Sequence, residues 1–513
     1  MPKLNNTTVS TLNKTEPLAI LNTRRCGILC HPSSLPGPLF SGDFSHQSYR
    51  FIEFLRASKI SVWQMLPLGP VHDDHSPYQC KSVHAGNPYL ISLDWLVDKN
   101  LLDTILEPSI KKFSTLSESN QFRIKKLYQA YDNFLKLQDR TITLEFNTFS
   151  NKNKFWLDDY CLYHSIRQLH HDTPWYQWPT DLRDREKTAL KKIEIKLQYQ
   201  VFREKFIQFV FFKQWNEIKQ YANNNNVHIF GDIPLFVAHD SADVWAHPEY
   251  FSVSANGSLK TVTGVPPDYF SKTGQRWGNP QYKWKKLLAE NFSWWHERIA
   301  TQLELFDIIR IDHFRGLESY WEISADTETA IDGHWVPAPG KQFLNSVKQH
   351  FGTLPLVAED LGTITNEVTQ LRRCFSIPGM KILQFAFDGN SDNSYLPHHH
   401  EKQSVVYTGT HDNDTTLSWY QQLSDNIKAT MNNYYGFDIA ATMPWPLIRS
   451  ALASRSNLAI LPMQDVLALG QGNRMNLPGT TKNNWLWRFS WDDAPNDLAD
   501  ILSDLVALYD RAH

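Results

Sequence analysis

The chain has 513 residues and a mass of 59.6 kDa, enough for one large domain with insertions or for several smaller domains. Its formal net charge is −3 and no run of Lys or Arg stands out, so it lacks the usual signature of a nucleic-acid-binding protein. No apolar run approaches the roughly 20 residues that a membrane-spanning helix needs, and we expect no membrane partner.

The N-terminal segment is polar and the cysteines are scattered. Residues 1–23 contain only the short apolar patch LAIL, so we expect a mobile tail there and one domain over 24–513. No C-x-x-C pair occurs, which fits reduced thiols better than disulfides or a zinc site, and we predict a cytoplasmic protein. The five cysteines are Cys26, Cys30, Cys80, Cys161 and Cys374.

Eight short apolar runs that end in polar residues alternate with helix-like stretches. They are CGILCHP (26–32), ISVWQMLPLGP (60–70), VHIFGDIPLF (227–236), FDIIRIDHF (306–314), LPLVAEDLG (354–362), MKILQFAFD (380–388), SVVYTGTHDN (404–413) and LAILPMQDVL (458–467). Near-continuous apolar strands between helices indicate a parallel sheet covered on both faces, and eight of them predict an α/β fold of the closed (β/α)₈ TIM-barrel type. A doubly wound open sheet would give a similar alternation; the count of eight and the polar strand ends favour the barrel.

The spacing between the predicted strands locates two insertions in the barrel. The second and third strands lie about 160 residues apart, far more than one crossover needs, and we expect a mainly helical insertion over 100–222. Its amphipathic stretches are 122–137, 155–169 and 189–222. Residues 238–306 are rich in Gly, Pro and aromatic residues, and we expect a loop-rich insertion whose segment 264–284 covers the active site at the barrel mouth.

Polar residues at the C-terminal ends of the strands are the candidates for chemistry, because the active sites of such barrels lie there. They are His31, Asp232, Asp312, Glu359, His411, Asp412 and Asp465. In DIIRIDHFRG (307–316), side chains two residues apart share a face of the strand, so Arg310 and Asp312 both point into the barrel mouth. The Arg310 guanidinium should lower the pKa of Asp312 and keep it ionised, as a nucleophile requires.

Glu359 ends the strand next to that of Asp312. A retaining glycosidase needs two carboxyl groups about 5–5.5 Å apart, one to attack the sugar carbon and one to protonate the leaving oxygen. Glu359 follows the apolar LVA and is the better candidate for the acid, whose pKa must be raised. Asp412, at the end of the seventh strand, is a third acid that could bind sugar hydroxyls in the transition state.

Two other interpretations of these residues stay open at this point. Structural ion pairs would explain a single acid at a strand end, although three on one rim favour a functional site. A metal-dependent amidohydrolase-like barrel could use His31, His313 and His411, but it would want a His-x-His after the first strand, where CHPSS has one histidine. DGNSDN (388–393) lacks the turn Gly and the closing Glu of a calcium loop, and we expect no metal and no cofactor.

From about residue 24 to about residue 490 the sequence resembles the 4-α-glucanotransferases (amylomaltases, disproportionating enzymes) of glycoside hydrolase family 77. The resemblance is carried by GILCHPSSLPG, LPLGP, SPYQ, AGNPYLI, PWYQWP, GDIPLFVAHDSADVWAHPEYF, GVPPDYFSKTGQRWGNPQYKW, RIDHFRG, AEDLG, GTHDN and RMNLPGTTKNNWLWR, in that order. It implies a nucleophile at Asp312, a general acid/base at Glu359 and a transition-state stabiliser at Asp412.

The resemblance also implies substrate contacts and partners. The contacts are Tyr78, Asp232, Arg310, His313, His411 and Asn476 around the cleavage point, with Asp268 and Trp277 in a mobile loop over bound glucan. The implied partners are α-1,4-glucans (maltodextrins, starch or glycogen fragments), with glucose or maltose as acceptor. HDDH (72–75) departs from the Gly/Tyr-rich stretch expected before SPYQ, and GQGNRMN (470–476) lacks an acidic residue expected there.

Within this resemblance two further functions remain possible. An α-amylase-type retaining hydrolase would use the same carboxylates and differ only in its product. A non-catalytic glucan-binding protein would be signalled by the loss of one of the three acids, and all three are present. The implied activity is transfer of glucan segments by a retaining double displacement through a covalent glycosyl-enzyme.

Overall fold

The computed structural model describes residues 20–37, 39–103, 113, 115–267 and 271–512. Most of the predicted tail and Asp268 lie outside these residues. Ile20 and Leu21 are buried and join the apolar cluster inside the sheet, and the side-chain amide of Asn457 donates to the carbonyl of Leu21. The division into a tail and one domain stays a prediction.

Twelve strands occur in these residues, and eight of them form a parallel barrel. In chain order they are β1 (Arg25–Leu29), β2 (Val62–Gln64), β3 (His228–Pro234), β4 (Thr261–Val265), β5 (Gln275–Arg276), β6 (Ile308–Asp312), β7 (Ser319–Ser324), β8 (Gly333–Pro337), β9 (Leu356–Ala358), β10 (Gly379–Ile382), β11 (Ser404–Tyr407) and β12 (Leu458–Pro462). The barrel order is β10-β11-β12-β1-β2-β3-β6-β9, and the amide of Ala358 donates to the carbonyl of Pro378 where β9 meets β10. These are the eight predicted strands, and the predicted barrel is confirmed.

The strands are apolar throughout because both of their faces are buried. One set of side chains fills the barrel interior: Leu29, Val62, Phe230, Ile308, Val357, Ile382, Val405 and Leu458. The alternate set packs beneath the surrounding helices: Ile28, Trp63, Ile229, Ile309, Leu356, Val406 and Ala459. This packing fixes the direction of each strand and therefore the edge at which its polar end emerges.

Helices surround the barrel and build most of the segment between β2 and β3. The α-helices are His46–Ala57, Leu93–Asp98, Leu116–Leu137, Arg140–Lys152, Lys154–Leu169, Thr180–Arg183, Lys187–Lys196, Gln198–Asn224, Ala242–Ala246, Trp284–Ala289, Ser293–Leu305, Gly340–Phe351, Asn366–Cys374, Thr416–Gln422, Asp425–Tyr435, Trp445–Ala453, Met463–Val466 and Leu498–Leu508. The stretch 189–222, predicted as one helix, is divided at Leu197. Among these helices none is long and apolar enough to cross a membrane.

A second, antiparallel sheet joins two insertions and was not predicted. Its order is β5-β4-β7-β8, so strands that precede β6 in the chain pair with strands that follow it. Thr261 to Gly264 of β4 pair with Ser324 to Trp321 of β7. The segment 238–306, predicted to be rich in loops, therefore contains two strands of this sheet and also the helix Ser293–Leu305, which leads into β6.

Candidate active site

A cavity of about 350 Å³ opens at the C-terminal ends of the barrel strands. Nine of the residues singled out from the sequence line it: Tyr78, Trp277, Arg310, Asp312, His313, Glu359, His411, Asp412 and Asn476. Asp232 lies beneath the cavity with only 1% of its side chain exposed, in contact with two of these residues. Asp268 is outside the residues that the structure describes.

Arg310 lies between two carboxylates at the ends of neighbouring strands. Its Nη1 is 2.9 Å from Oδ1 of Asp312 and 2.6 Å from Oδ2 of Asp232. The strand register creates this arrangement, because Arg310 of β6 is paired with Asp232 of β3. The predicted orientation of Arg310 and Asp312 toward the same side is therefore found.

The predicted sign of the Asp312 pKa shift is wrong. Burial raises this pKa more than the Arg310 guanidinium lowers it, and the carboxylates of Asp232, Glu359 and Asp412 raise it further, to about 8. The Asp312 side chain keeps 29% of its surface exposed, and it lines the cavity. A single cation cannot compensate for lost hydration together with three neighbouring acids.

Glu359 stands beside Asp312 because β6 and β9 are paired up to Ile311 and Ala358. The ladder continues past the strands, as the amide of Glu359 donates to the carbonyl of Ile311 at 3.1 Å. The carboxylate accepts two main-chain hydrogen bonds, from His313 at 2.7 Å and from Leu361 at 2.9 Å. Burial raises the pKa of Glu359 despite Arg310 and these amides, in the predicted direction for an acid.

Asp412 lies on the loop that follows β11, and 43% of its side chain is exposed. Its Oδ1 accepts a hydrogen bond from the side-chain amide of Asn476 at 2.6 Å and lies 3.4 Å from Nε2 of His411. Arg474 holds this loop by donating to the main-chain oxygens of Asp412 and Asn476. Arg474 was not singled out from the sequence, although it precedes Asn476 by two residues in the quoted RMN motif.

Three rings line one side of the cavity. Tyr78 stacks on His411 with centroids 5.1 Å apart and planes 16° from parallel, and Trp485 lies 5.8 Å from Tyr78. The Tyr78 hydroxyl donates to Oδ2 of Asp232 at 2.8 Å, and burial raises the pKa of this phenol well above its usual value. Trp485 was missed, although its position beside two Asn residues in a Gly- and Pro-containing loop resembles that of Trp277 beside Gly-Asn-Pro.

Trp277 and His313 form a second aromatic contact across the cavity. Their rings meet edge to face with centroids 4.7 Å apart. Burial lowers the pKa of His313 to about 3, so the imidazole is neutral at ordinary pH. His313 has a φ of 56°, a left-handed backbone conformation that a residue other than glycine rarely adopts.

Two polar strand ends lie outside the cavity. Asp465 is buried and accepts hydrogen bonds from the hydroxyls of Thr408 and Thr416 and from the amide of Thr416. His31 is buried below the rim, where desolvation and then His411 lower its pKa to about 3. Across the described parts of the chain no three His, Cys, Asp or Glu side chains converge as metal ligands would.

Comparison with known proteins assigns this chain to a family. A family model described as 4-alpha-glucanotransferase matches residues 30–493. The chain belongs to the 4-alpha-glucanotransferase family. The matched residues run from just after β1 past β12, so they contain seven of the eight barrel strands and every polar strand end discussed above.

Full-length relatives agree with this assignment to the 4-alpha-glucanotransferases. The 4-alpha-glucanotransferase of Synechocystis sp. is 45% identical over 96% of this chain and 99% of its own length. That of Thermus thermophilus is 44% identical over 91% of this chain and 94% of its own. The family resemblance inferred from the motifs is thereby confirmed, and the chain is a glycosyl-transferring enzyme.

Two solved amylomaltase structures have the same architecture. The amylomaltase from Streptococcus agalactiae, solved in complex with acarbose, matches with a TM-score of 0.92 at 34% identity, over 96% of this chain and all of that chain. The amylomaltase from Corynebacterium glutamicum shares the fold with a TM-score of 0.73 at 16% identity, over 97% of this chain and 77% of that chain. The comparisons favour transfer over the hydrolase alternative.

Proposed function

We propose that this enzyme transfers α-1,4-glucan segments from maltodextrins, starch or glycogen fragments to a second glucan, to maltose or to glucose. The proposal includes a double displacement that retains the α configuration through a covalent glycosyl-enzyme. One observation carries it. Asp312, which is paired with Arg310, and Glu359 lie at the ends of neighbouring strands, and both line one cavity together with Asp412.

In the first step Asp312 attacks the anomeric carbon while Glu359 protonates the oxygen of the departing chain. In the second step Glu359 removes the proton from the 4-hydroxyl of the acceptor, whose oxygen displaces Asp312 from the sugar. Asp412 binds sugar hydroxyls more strongly as the ring distorts. Its open side chain and its hydrogen bond from Asn476 support this role.

The reaction requires a proton on Glu359 and none on Asp312. Burial raises the pKa values of both carboxyl groups, the direction that the acid needs and the nucleophile does not. Arg310 favours the required distribution, because its Nη1 lies 2.9 Å from Asp312 and stabilises the negative charge there.

The remaining cavity residues are proposed to bind sugar. Tyr78 and His411 present flat rings beside the acids. Arg310 and Asn476 line the same cavity, where their polar groups can bind the hydroxyl groups of a sugar. Among the residues described, the buried Nε2 of His313 has no hydrogen-bond partner. Asp232 acts by holding Tyr78 and Arg310.

A transferase must keep water from completing the second step, so the glycosyl-enzyme has to be covered until an acceptor binds. We assign the cover to Trp277, Asp268 and the surrounding segment 264–284, because Val265, Gln275 and Trp277 line the cavity. In this proposal residues 24–513 act as one catalytic domain. A cytoplasmic location is proposed because all five cysteines are free, three of them buried.

The test is incubation of the purified enzyme with maltotriose and separation of the products by chromatography. A ladder of longer maltodextrins together with glucose establishes transfer. Asp312→Asn should abolish the ladder. The matched control is Asp326→Asn, the same change at an exposed residue outside the cavity, which should leave it intact. Glucose and maltose without longer products would make the enzyme a hydrolase.

A further inference from the structure

The junction between β9 and β10 differs from the other junctions of the barrel. Neighbouring strands elsewhere pair through backbone ladders of three to five residues, whereas no such ladder joins these two described strands. Their main-chain contact is the hydrogen bond from the amide of Ala358 to the carbonyl of Pro378, 2.8 Å long. In a regular parallel ladder, the amide of Met380 would then donate to a carbonyl of β9.

A side chain takes the place of that carbonyl. The amide of Met380 donates to Oδ1 of Asp360 at 2.7 Å. The second oxygen, Oδ2, is 3.0 Å from Nε of Arg372, whose Nη1 donates to the carbonyl of Ile377 at 3.0 Å. Asp360 therefore joins β9 to the start of β10 through one amide and one cation, with 14% of its side chain exposed.

The opposite strand leaves room for this carboxylate. A Cβ at Gly379 would lie 2.3 Å from Oδ2 and 2.7 Å from Oδ1 of Asp360, so no other residue fits there without moving the carboxylate. Burial raises the pKa of Asp360 to about 6, and Arg372 and the amide of Met380 oppose that rise. Gly379, Arg372 and the main-chain amide of Met380 thus all contact one carboxyl group that the proposed mechanism does not use.

Asp360 follows Glu359 directly, and the next amide, that of Leu361, donates to the Glu359 carboxylate. On the β10 side, the Asp360 side chain holds this stretch of backbone through its hydrogen bond from the amide of Met380 and its ion pair with Arg372. We propose that Asp360 is a positioning residue that holds the Glu359 carboxyl group where it can deliver and recover its proton. This inference rests on the proposed role of Glu359 as general acid/base.

A positioning role can be separated from a purely structural one by changing the chemistry that Glu359 must perform. Maltotriose needs a proton on its leaving oxygen and loss of a proton from the acceptor hydroxyl. With α-maltosyl fluoride, the C–F bond breaks with fluoride leaving as an anion. Azide then displaces Asp312 as an anion, so neither step needs the acid/base. A displaced Glu359 should slow the first reaction and spare the second, whereas a loss of folded enzyme slows both equally.

The experiment compares kcat for both reactions in the wild type, Asp360→Asn and Glu359→Gln. Asparagine retains an oxygen for the amide of Met380 but loses the charge that pairs with Arg372. We expect Asp360→Asn to lower kcat with maltotriose by about tenfold to a hundredfold. The fluoride reaction in azide should change by less than about threefold. If Asp360→Asn does not fold, Arg372→Lys provides the same comparison, with a smaller expected difference between the losses of kcat in the two reactions.

Asp307→Asn is the matched control at the opposite end of the barrel. Asp307 also accepts a strand amide, that of Ile229 at 2.8 Å, and lies 3.4 Å from a cation, Lys219. Its change should affect both reactions equally. Equal losses in Asp360→Asn, or no loss, would overturn the inference. A Glu359→Gln variant that fails to spare the fluoride reaction would instead refute the role proposed for Glu359.

Discussion

The main-chain amide of His313 donates a hydrogen bond to Oε2 of Glu359, with the two atoms 2.7 Å apart. This bond connects the residue after Asp312 to the carboxyl group on the neighbouring strand. It forms because His313 has a φ of 56°, which a β-branched side chain strongly disfavours and Asn tolerates. We expect His313→Val to lower kcat with maltotriose about tenfold more than His313→Asn does.

Both His313 variants remove the imidazole that contacts Trp277, so the difference between them reports the backbone rather than the ring. Steady-state kinetics with maltotriose measures it. Equal values of kcat for the Val and Asn variants would show that the left-handed conformation does not matter for the position of Glu359.

The raised pKa of Asp312 makes stability depend on pH. Below pH 3.8, the ordinary pKa of an Asp side chain, Asp312 is protonated in both the folded and the unfolded chain. Between pH 3.8 and about pH 8 it is protonated only in the folded chain. The free energy of unfolding therefore falls as the pH rises through this window and is constant above it. Because Asn cannot ionise, Asp312→Asn should gain stability relative to the wild type between pH 5 and pH 8.

Urea denaturation of both proteins at pH 5 and pH 8 measures this gain, with Asp326→Asn as the exposed control. The difference between Asp312→Asn and the wild type should be larger at pH 8. A difference that is the same at both pH values would mean that Asp312 titrates normally in the folded chain.

Tyr78 contributes a ring and a hydroxyl group, and two variants separate them. Tyr78→Phe keeps the stack on His411 but removes the donor to the buried carboxylate of Asp232. We expect it to lower the free energy of unfolding by about 2 kcal/mol, because the acceptor is charged. Tyr78→Leu also removes the stack on His411 and should therefore have a higher KM for maltotriose than Tyr78→Phe. Identical KM values for the Phe and Leu variants would exclude a role of the ring in binding.

Gly379 and Asp360 should behave as a coupled pair. Gly379→Ala brings a methyl group within 2.3 Å of the Asp360 carboxylate, so it should destabilise the wild type. It should cost little once Asp360→Ala has removed that carboxylate. We expect a coupling free energy of about 1 kcal/mol or more in a double-mutant cycle measured by urea denaturation.

The control for this cycle is Gly470→Ala, where the new methyl group would lie 3.6 Å from Leu417, an ordinary contact. It should show no coupling to Asp360→Ala. Additive effects of the Gly379 and Asp360 changes would contradict the close approach seen between the two residues.

The barrel could be predicted from the sequence because burial on both faces makes its strands apolar at every position, and their polar ends mark the mouth. The antiparallel sheet was not predicted, since β4 and β7 are short and lie far apart in the chain. The orientation of Arg310 and Asp312 followed from the twofold period of a strand. The direction of the Asp312 pKa shift did not, because desolvation depends on neighbours that only the folded chain brings together.

The antiparallel sheet also bears on how this enzyme can be recombined with its relatives. Gly264 and Val265 of β4 pair with β5, which leads into Trp277, and the same strand pairs with Ser319–Ser324, beyond Asp312 in the chain. The segment carrying Trp277 is thus hydrogen-bonded to a partner strand encoded more than forty codons downstream. A loop swap that exchanges 261–277 alone would break the sheet, so the two stretches have to be exchanged together as one cassette.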